Sequence, residues 1–444
     1  MSWAAEVYAV DKRCAELCRD MSIAGFGFDR AEGQRLSATL LETERAARQR
    51  ADDAVGRPIR RTKTGGFSTL DLHAAFFDDL GASPYLRSAI TRKPSLKVDA
   101  LRYYAANQRR DDSGVRLRDL ALAVLEFRRL RKVRVTYIDN APVGEDGRVH
   151  PSWLNYGAVS GRFSCQAPNL MNLPTQRTDP TIEWARDEAT GRRYAARGGV
   201  RGLYRAKAGH TLVAFDAKQL EMRIAAYASG DSTMIAACQA KDLHAANAAV
   251  IFAAAWEAAD APLRESMRNL AKQSGFACCY LATWETVWQR LLAEGMNVPA
   301  SQVKAMLRRL HREFAGYFGW QGQRLLDCIR LGYTTTPILG RRRWLGHSPL
   351  PTECANFPIQ GGAADLMNLR LPAVDQALRL AIRGATAVAQ VHDSGVFEVP
   401  INAADEAAAI MRAVFEAPIE LRSGDGRRLE ATFPIDVKSG ERWK

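Results

Sequence analysis

The sequence predicts an α+β fold, in which a small sheet carries a long helical insertion and follows a helical arm. Residues 30 to 54 are rich in Ala, Leu, Arg and Glu, which predicts one long helix ahead of the sheet. A continuous apolar run at 211 to 215 (TLVAF) and two β-prone runs within 386 to 399 (TAVAQVHDSGVFEV) predict strands. A region rich in Ala and Arg, at about 232 to 330, predicts helices between these strands.

Three further segments have local signatures. The polar stretch RPIRRTKTGGFST at 57 to 69 contains a Gly-Gly pair and predicts a loop. A helix is predicted at about 116 to 135, and the basic run FRRLRKVR near its end suits a solvated face or a phosphate-contacting surface equally well. Another helix is predicted near 361 to 380.

The composition is that of a folded, basic protein. The 444 residues suffice for two or three domains or one large enzyme, and 47% hydrophobic with 25% charged residues excludes a disordered chain. The formal net charge is +13, which favours a polyanionic partner such as nucleic acid. A protein whose net charge only keeps it in solution would have the same value. Composition alone therefore leaves open both a polyanionic partner and a charged surface without such a partner.

Membrane and disulfide signals are missing from the sequence pattern. The start, MSWAAEVYAVDKRC, carries charges too early for a secretory signal, and the apolar stretch around Ala248 to Trp256 is too short to span a bilayer. The eight cysteines form no CxxC pair, so neither a zinc site nor a disulfide framework is indicated. We therefore expect buried thiols in a reducing cytoplasm and no membrane partner.

Two aspartates occupy positions where carboxylates can reach a ligand. Asp216 ends the apolar run TLVAF, where a strand passes into a helix that Gly230 would stop, and Asp393 lies in the predicted hairpin turn His-Asp-Ser-Gly. Each aspartate alone is better explained by turn or helix-start chemistry. Together, carboxylates on adjacent strands can bridge two divalent ions about 4 Å apart, as phosphoryl transfer requires.

A four-residue repeat lies between the two aspartates in the sequence. Arg268, Lys272, Phe276 and Tyr280 would form one stripe on a helix, with cations for a triphosphate and aromatic rings for a base. A buried aromatic pair beside exposed cations would produce the same spacing, so the stripe alone leaves both alternatives open.

Six segments together resemble the motifs of family A DNA polymerases, the family of bacterial DNA polymerase I and many phage replicases. They follow the family's order and approximate spacing: SGRFSCQAPNLMNLP (160–174), DAKQLEMR (216–223), DLH (242–244), RNLAKQSGFACCY (268–280), FPIQGGAADLM (357–367) and QVHDSGVFEVP (390–400). The resemblance implies a right-hand polymerase fold with an antiparallel-sheet palm, helical fingers and a helical thumb. The implied regions are a short helical segment at 1–20, a thumb-like region at 21–150, a palm at 151–235 and 346–444, and fingers at 236–345.

The resemblance also implies an activity and the metal ions it uses. The activity is template-directed addition of deoxynucleotides to a primer 3′ end, in the replication of a phage or plasmid genome. Asp216 and Asp393 match the residues that hold two Mg²⁺ ions, for which Mn²⁺ could substitute, and the Ala217 carbonyl would be a backbone ligand.

The incoming dNTP would meet several matched side chains. His244, Arg268 and Lys272 would grip the triphosphate. Glu221 would be the steric gate that fills the space of a ribose 2′-hydroxyl, with Gln219 nearby. Phe276 would stack under the new base pair, and Tyr280 would guard the template position. The matches to residues that touch primer–template DNA are Arg162, Asn169, Asn172, Gln360 and His392.

The chain departs from the family pattern at several positions. Ser394 replaces the usual Glu after His-Asp, Leu281 replaces the Gly after the fingers Tyr, and Gly362 replaces the Thr of the QGTAAD helix. Residues 178 to 198 look like an Arg- and Gly-rich insertion. Two interpretations of it remain open: a loop that faces DNA and a surface loop without a function.

About twenty residues precede the thumb-like region, which is too short for an exonuclease domain. We therefore expect no proofreading in cis, and further partners would be a separate exonuclease, a helicase or primase, or a processivity factor. Two other classes remain as alternatives: a non-catalytic DNA-binding replication subunit and a single-subunit RNA polymerase. The presence of Asp216, Lys272 and Asp393 argues against the first, and Glu221 argues against the second.

Overall fold

The computed structural model describes residues 3–88, 91–106, 111–175, 179–186, 193–197, 199–278, 281–293 and 298–443. The α-helices in these ranges are α1 (Trp3–Ala24), α2 (Arg30–Val55), α3 (Thr69–Ala74), α4 (Val98–Ala105), α5 (Asp112–Arg134), α6 (Leu220–Ser229), α7 (Ser232–Gln239), α8 (Leu243–Phe252), α9 (Ala254–Ala258), α10 (Ala261–Cys278), α11 (Trp284–Ala293), α12 (Ala300–Glu313), α13 (Ala315–Leu331), α14 (Pro351–Ala381) and α15 (Ala404–Phe415).

The strands are mostly short. They are β1 (Phe26–Phe28), β2 (Arg148–Val149), β3 (Ser152–Leu154), β4 (Ser164–Gln166), β5 (Glu183–Arg186), β6 (Arg193–Arg197), β7 (Tyr204–Arg205), β8 (His210–Ala217), β9 (Tyr333–Thr335), β10 (Arg342–Trp344), β11 (Thr386–Val391), β12 (Ser394–Pro400), β13 (Ile419–Arg422), β14 (Arg428–Ala431) and β15 (Ile435–Gly440). The α+β class is therefore confirmed, with antiparallel strand pairing throughout the described sheets.

The chain folds as two units. The first consists of Met1–Gly25, Pro151–Met171 and Ala206–Glu441. The second consists of Phe26–His150, Asn172–Arg205 and Arg442–Lys444.

An antiparallel sheet with the order β11-β12-β8-β15 forms the centre of the first unit. β11 and β12 are buried along most of their length, as their apolar runs predict. α15 packs against β8, β12 and β15, where the rings of Phe215 and Phe415 lie 4.9 Å apart between centroids. Helices α7 to α13 of the same unit share an apolar core that includes Leu291, Val303 and Tyr317.

The second unit is built on two long helices, α2 and α5, that pack together. The Asp29 side chain caps the start of α2 by accepting a hydrogen bond from the Glu32 N–H, and Gly56 ends it in the left-handed conformation. The predicted helix at 30 to 54 is thus confirmed within one residue. Between the helices, Arg134 donates to the Glu44 carboxylate at 2.6 Å.

Two predicted boundaries were wrong. The helix predicted near 361 to 380 begins at Pro351 and continues through Pro358, because the buried side chains around Pro358 and Ile359 outweigh the hydrogen bond that the proline cannot make. The strand predicted at 211 to 215 continues to Ala217, because β15 pairs with β8 as far as that residue.

The insertion predicted at 178 to 198 contains the antiparallel pair β5 and β6 within its described parts. Asp179 holds the base of the pair by accepting hydrogen bonds from the Thr181 N–H at 2.9 Å and the Val200 N–H at 2.7 Å. Among the described helices, none combines the length and apolarity needed to cross a membrane.

Candidate active site

The pairing of β8 with β12 brings the two predicted aspartates together. Asp216 lies opposite Ser394, the residue after Asp393, and the Ala217 N–H donates to the Asp393 carbonyl at 3.0 Å. The sequence predicted that Asp216 comes directly after the strand. In the structure it lies within β8. Both carboxylates and the Ala217 backbone therefore occupy one end of the central sheet.

A two-residue turn presents Asp393 at this end. Val391 pairs with Ser394, and His392 between them has a φ of +54°, the left-handed conformation that tight hairpin turns require. The Ser394 hydroxyl donates to the Val391 carbonyl at 2.7 Å. The serine that replaces the expected glutamate therefore closes the turn and adds no third carboxylate.

Arg162 contacts both Glu221, the predicted steric gate, and Asp393. Its guanidinium donates to Glu221 at 2.5 Å and lies 3.7 Å from the Asp393 carboxylate. Burial raises the pKa of Glu221, and the charge of Arg162 opposes that rise. Burial also raises the pKa of Asp393, where Arg162 opposes the rise and Asp216 adds to it. Crowded carboxylates with one cation among them attract further positive charge.

The carboxylate pair fits a divalent cation. Asp393 Oδ1 is buried and has no hydrogen-bond partner within the described part of the chain. A buried acceptor without a partner is costly, and a metal ion would satisfy it. The described residues contain no cluster of three or more His, Cys, Asp or Glu side chains suited to a metal. This sparse donor set suits Mg²⁺, which retains waters and takes further oxygens from phosphates.

The predicted triphosphate ligands meet at the start of α8. The Asp242 side chain caps α8, and Arg268 of α10 donates to its other oxygen at 2.7 Å. His244 lies in the first turn of α8, where burial and then the charges of Lys272 and Arg268 lower its pKa. Its Nδ1 is buried, with no hydrogen-bond partner among the described residues. The structure thus joins His244, Arg268 and Lys272 in one cationic cluster.

The gate residues lie at the start of α6. Gln219 precedes the helix in the left-handed conformation, with a φ of +45°, and Glu221 lies in the first turn. Phe276 is on α10, with its side chain outside the described set, and Tyr280 lies outside the described residues. The α10 stripe can therefore be followed structurally only through Arg268 and Lys272.

The predicted DNA contacts are distributed over several elements. Arg162 and His392 line one small cleft of the first unit. Gln360 is half-buried on α14. The Asn169 side chain accepts a hydrogen bond from the Met171 N–H at 3.0 Å, which gives it a local turn role. Asn172 belongs to the second unit, where its carbonyl accepts from the Tyr137 hydroxyl at 2.8 Å.

The structure shows the surroundings of two residues that depart from the family pattern. Leu281 has a φ of +56°, a conformation that favours the glycine the family pattern has there. At Gly362, a Cβ would lie 2.9 Å from Ile224 and 3.0 Å from Pro337. The space that a threonine would occupy is therefore filled by these neighbours.

Two supporting residues on α14 were missed by sequence reasoning. Asp365 is fully buried and accepts hydrogen bonds from Thr336, from the Leu339 N–H at 2.9 Å and from Arg341 at 2.7 Å. Asn368 donates to the carbonyl of Gly161 at 3.1 Å and so holds the residue next to Arg162. Asp365 stands within the quoted FPIQGGAADLM segment, but the partner of Asn368 is 207 residues away and no local pattern indicates it.

Comparison with known proteins identifies a matching family model and several similar proteins. The model of DNA polymerase family A matches residues 32–444. The thermostable DNA polymerase I of Thermus caldophilus is 29% identical over 98% of this chain and 48% of its own length. The DNA polymerase I of Chloroflexus aurantiacus is 28% identical over 98% of this chain and 43% of its own length. The chain thus spans about half the length of these relatives.

A solved structure is similar in fold. The POL domain of Pol1 from M. smegmatis, in complex with DNA primer-template and dNTP, superposes with a TM-score of 0.76 at 24% identity, covering 97% of this chain and 69% of that one. At this identity the likeness establishes the right-hand polymerase fold. With the family match over nearly the whole chain, it follows that the chain belongs to DNA polymerase family A.

Proposed function

We propose that the chain is a template-directed DNA polymerase that adds deoxynucleotides to a primer 3′ end. The observation that carries the proposal is the proximity of Asp216 and Asp393 at one end of the sheet, where the buried Asp393 Oδ1 accepts no hydrogen bond from any described residue. Family membership supports the same activity. In this proposal the second unit supplies most of the thumb, and α7 to α13 of the first unit supply the fingers.

Asp216 and Asp393 would hold two Mg²⁺ ions, with the Ala217 carbonyl as a further ligand. Ions held there would supply the positive charge that activates a primer 3′-hydroxyl and that neutralises charge on the leaving pyrophosphate. The protein's own part is positioning: the His392–Asp393 turn fixes one carboxylate, and strand pairing on both sides of β8 fixes the other.

The cluster at the start of α8 would receive the triphosphate. Arg268 and Lys272 supply positive charge, and the depressed pKa of His244 keeps its ring neutral at pH 7, so that it donates a hydrogen bond from one nitrogen. The Arg268 guanidinium would exchange its contact with Asp242 for phosphate oxygens.

Glu221 would select deoxynucleotides. Arg162 holds its carboxylate in a largely buried position, with only 11% of the side chain exposed. A fixed side chain excludes a 2′-hydroxyl better than a mobile one, because yielding would break the ion pair. Use of this activity to replicate a phage or plasmid genome stays a prediction.

Primer extension with Mg²⁺ tests the proposal. Asp216→Asn and Asp393→Asn should each slow extension by about a thousandfold, since each weakens several kcal/mol of charge stabilisation. Asp436→Asn is the matched control: Asp436 lies opposite Asp216 on β15, but its carboxylate pairs with Lys218 at 2.7 Å. Extension by Asp393→Asn at the wild-type rate would refute the metal assignment.

A further inference from the structure

A carboxylate of α1 contacts the loop between β3 and β4, which carries Arg162. The carboxylate of Asp11 accepts two hydrogen bonds from the Arg341 guanidinium, at 2.6 and 3.2 Å, and one from the Tyr156 hydroxyl at 2.5 Å. The Asp11 carbonyl accepts another from the Asn155 side chain at 3.2 Å. These contacts attach the start of the loop to α1.

Arg341 holds the same group of residues from the side of α14. Its Nε donates to the fully buried Asp365 carboxylate of α14 at 2.7 Å. Its guanidinium also lies over the Tyr156 ring, 4.7 Å from the centroid. Only 11% of the Arg341 side chain is exposed. Arg341 therefore fixes Asp11 and Tyr156 relative to α14.

Tyr156 has a backbone conformation that needs such support. Its φ is +60°, in the left-handed region that bulky side chains rarely adopt. A strained conformation of this kind persists only where the surrounding contacts fix it. Because 37% of the residue is exposed, burial holds it only in part. The contacts with Asp11 and Arg341 supply the remaining constraint.

The Tyr156 ring lies against the residue that precedes Arg162. A Cβ added at Gly161 would lie 3.2 Å from this ring, so the ring packs directly on the Gly161 backbone. The Gly161 carbonyl accepts the hydrogen bond from Asn368 described above. The backbone that leads into Arg162 is thus held by one ring and one amide, and Arg162 in turn holds Glu221.

We propose that Asp11 is a positioning residue for Arg162 and, through Arg162, for Glu221. The inference rests on the proposed function, in which Glu221 excludes a ribose 2′-hydroxyl. Without the Asp11 carboxylate, Tyr156 can leave its strained conformation, and its ring then no longer supports Gly161. Arg162 would hold Glu221 less firmly, because an active-site side chain is only as fixed as the residues behind it. Glu221 would then yield to a ribonucleotide.

Competition between a dNTP and the matching ribonucleotide in primer extension tests this inference. Asp11→Ala should raise ribonucleotide incorporation about tenfold, because small displacements of active-site groups change relative rates by factors of about 10 to 100. Asp11→Asn keeps one oxygen acceptor and should have a smaller effect. Tyr156→Phe loses only the hydroxyl contact and should also raise incorporation, which provides a second test where Asp11→Ala is too unstable to purify.

Asp20→Ala is the matched control. Asp20 is also on α1, its side chain is 27% exposed against 29% for Asp11, and it pairs with Arg379 of α14 at 3.1 Å. This variant should lose stability, as Asp11→Ala should, but keep the wild-type preference for deoxynucleotides. If the wild type discriminates and both Asp11→Ala and Tyr156→Phe discriminate equally well, Asp11 only stabilises the fold and the inference is wrong.

A second measurement needs no polymerase activity. Urea denaturation gives the coupling between Arg162→Ala and Glu221→Ala, which should be smaller in the Asp11→Ala background than in the Asp20→Ala background. Equal coupling in the two backgrounds would overturn the inference whatever the enzyme does. Absence of primer extension by the wild type would instead refute the proposed function, so the two failures are distinguishable.

Discussion

The ion pair between Arg162 and Glu221 offers a quantitative test of the site geometry. We expect Arg162→Ala to destabilise the protein, because it leaves the carboxylates of Glu221 and Asp393 in a largely buried site without their shared cation. Glu221→Gln should cost less, since the amide keeps a hydrogen-bond acceptor for Arg162 and removes a charge that burial disfavours.

The expected strength of the ion pair between Arg162 and Glu221 depends on how far the two side chains are exposed to solvent. The side chains are 28% and 11% exposed, so solvent screens the pair only in part. A charge-assisted hydrogen bond in such a setting contributes about 1.5–3 kcal/mol. The coupling free energy between Arg162→Ala and Glu221→Ala, which removes both the charge and the acceptor, should therefore be about 2 kcal/mol, and that double variant should be more stable than the sum of the single losses predicts.

Urea denaturation of the wild type, both single variants and the double variant gives this coupling free energy. The control cycle uses Arg428 and Glu420, which pair at 3.1 Å with side chains 65% and 62% exposed. That exposed pair should couple by less than about 1 kcal/mol. If the Arg162 and Glu221 cycle gives less than about 0.5 kcal/mol, the buried bridge does not exist as described.

Three more outcomes are expected. Glu221→Ala should raise ribonucleotide incorporation in competition assays, and an unchanged dNTP/NTP preference would contradict the gate. Lys272→Ala should raise the KM for dNTPs about tenfold or more through the lost phosphate contact, whereas equal kinetics would remove it from the triphosphate site. Burial raises the pKa of Asp365 from 3.8 to about 6, so its ionisation lowers stability by about 2 kcal/mol as pH rises from 4 to 6. When denaturation is measured at both pH values, the stability of the Asp365→Asn variant should not show this decrease. If the stability of the variant falls between pH 4 and pH 6 as much as that of the wild type, the role given to Asp365 is wrong.

The central sheet and the aspartate pair could be predicted from sequence because their signals are local. The apolar run ending before Asp216 and the turn residues around Asp393 specify strands and a hairpin without help from distant residues. The register that joins them depends on β8 pairing with β12, and only the motif resemblance suggested that pairing.

Features that depend on distant contacts could not be predicted. The continuation of α14 through Pro358 follows from burial, which local helix signals do not report. The bridge from Arg162 to Glu221 joins residues 59 apart, and Arg162 had been assigned only to DNA.

Single-nucleotide addition on four primed templates, which differ only in the first unpaired base, tests the central claim most directly. With Mg²⁺ present, the wild type should add only the deoxynucleotide complementary to each template base, and Asp393→Asn should do so about a thousandfold more slowly. Addition of the same nucleotide on all four templates, no addition by the wild type, or equal rates for both proteins would contradict a template-directed polymerase built on Asp216 and Asp393.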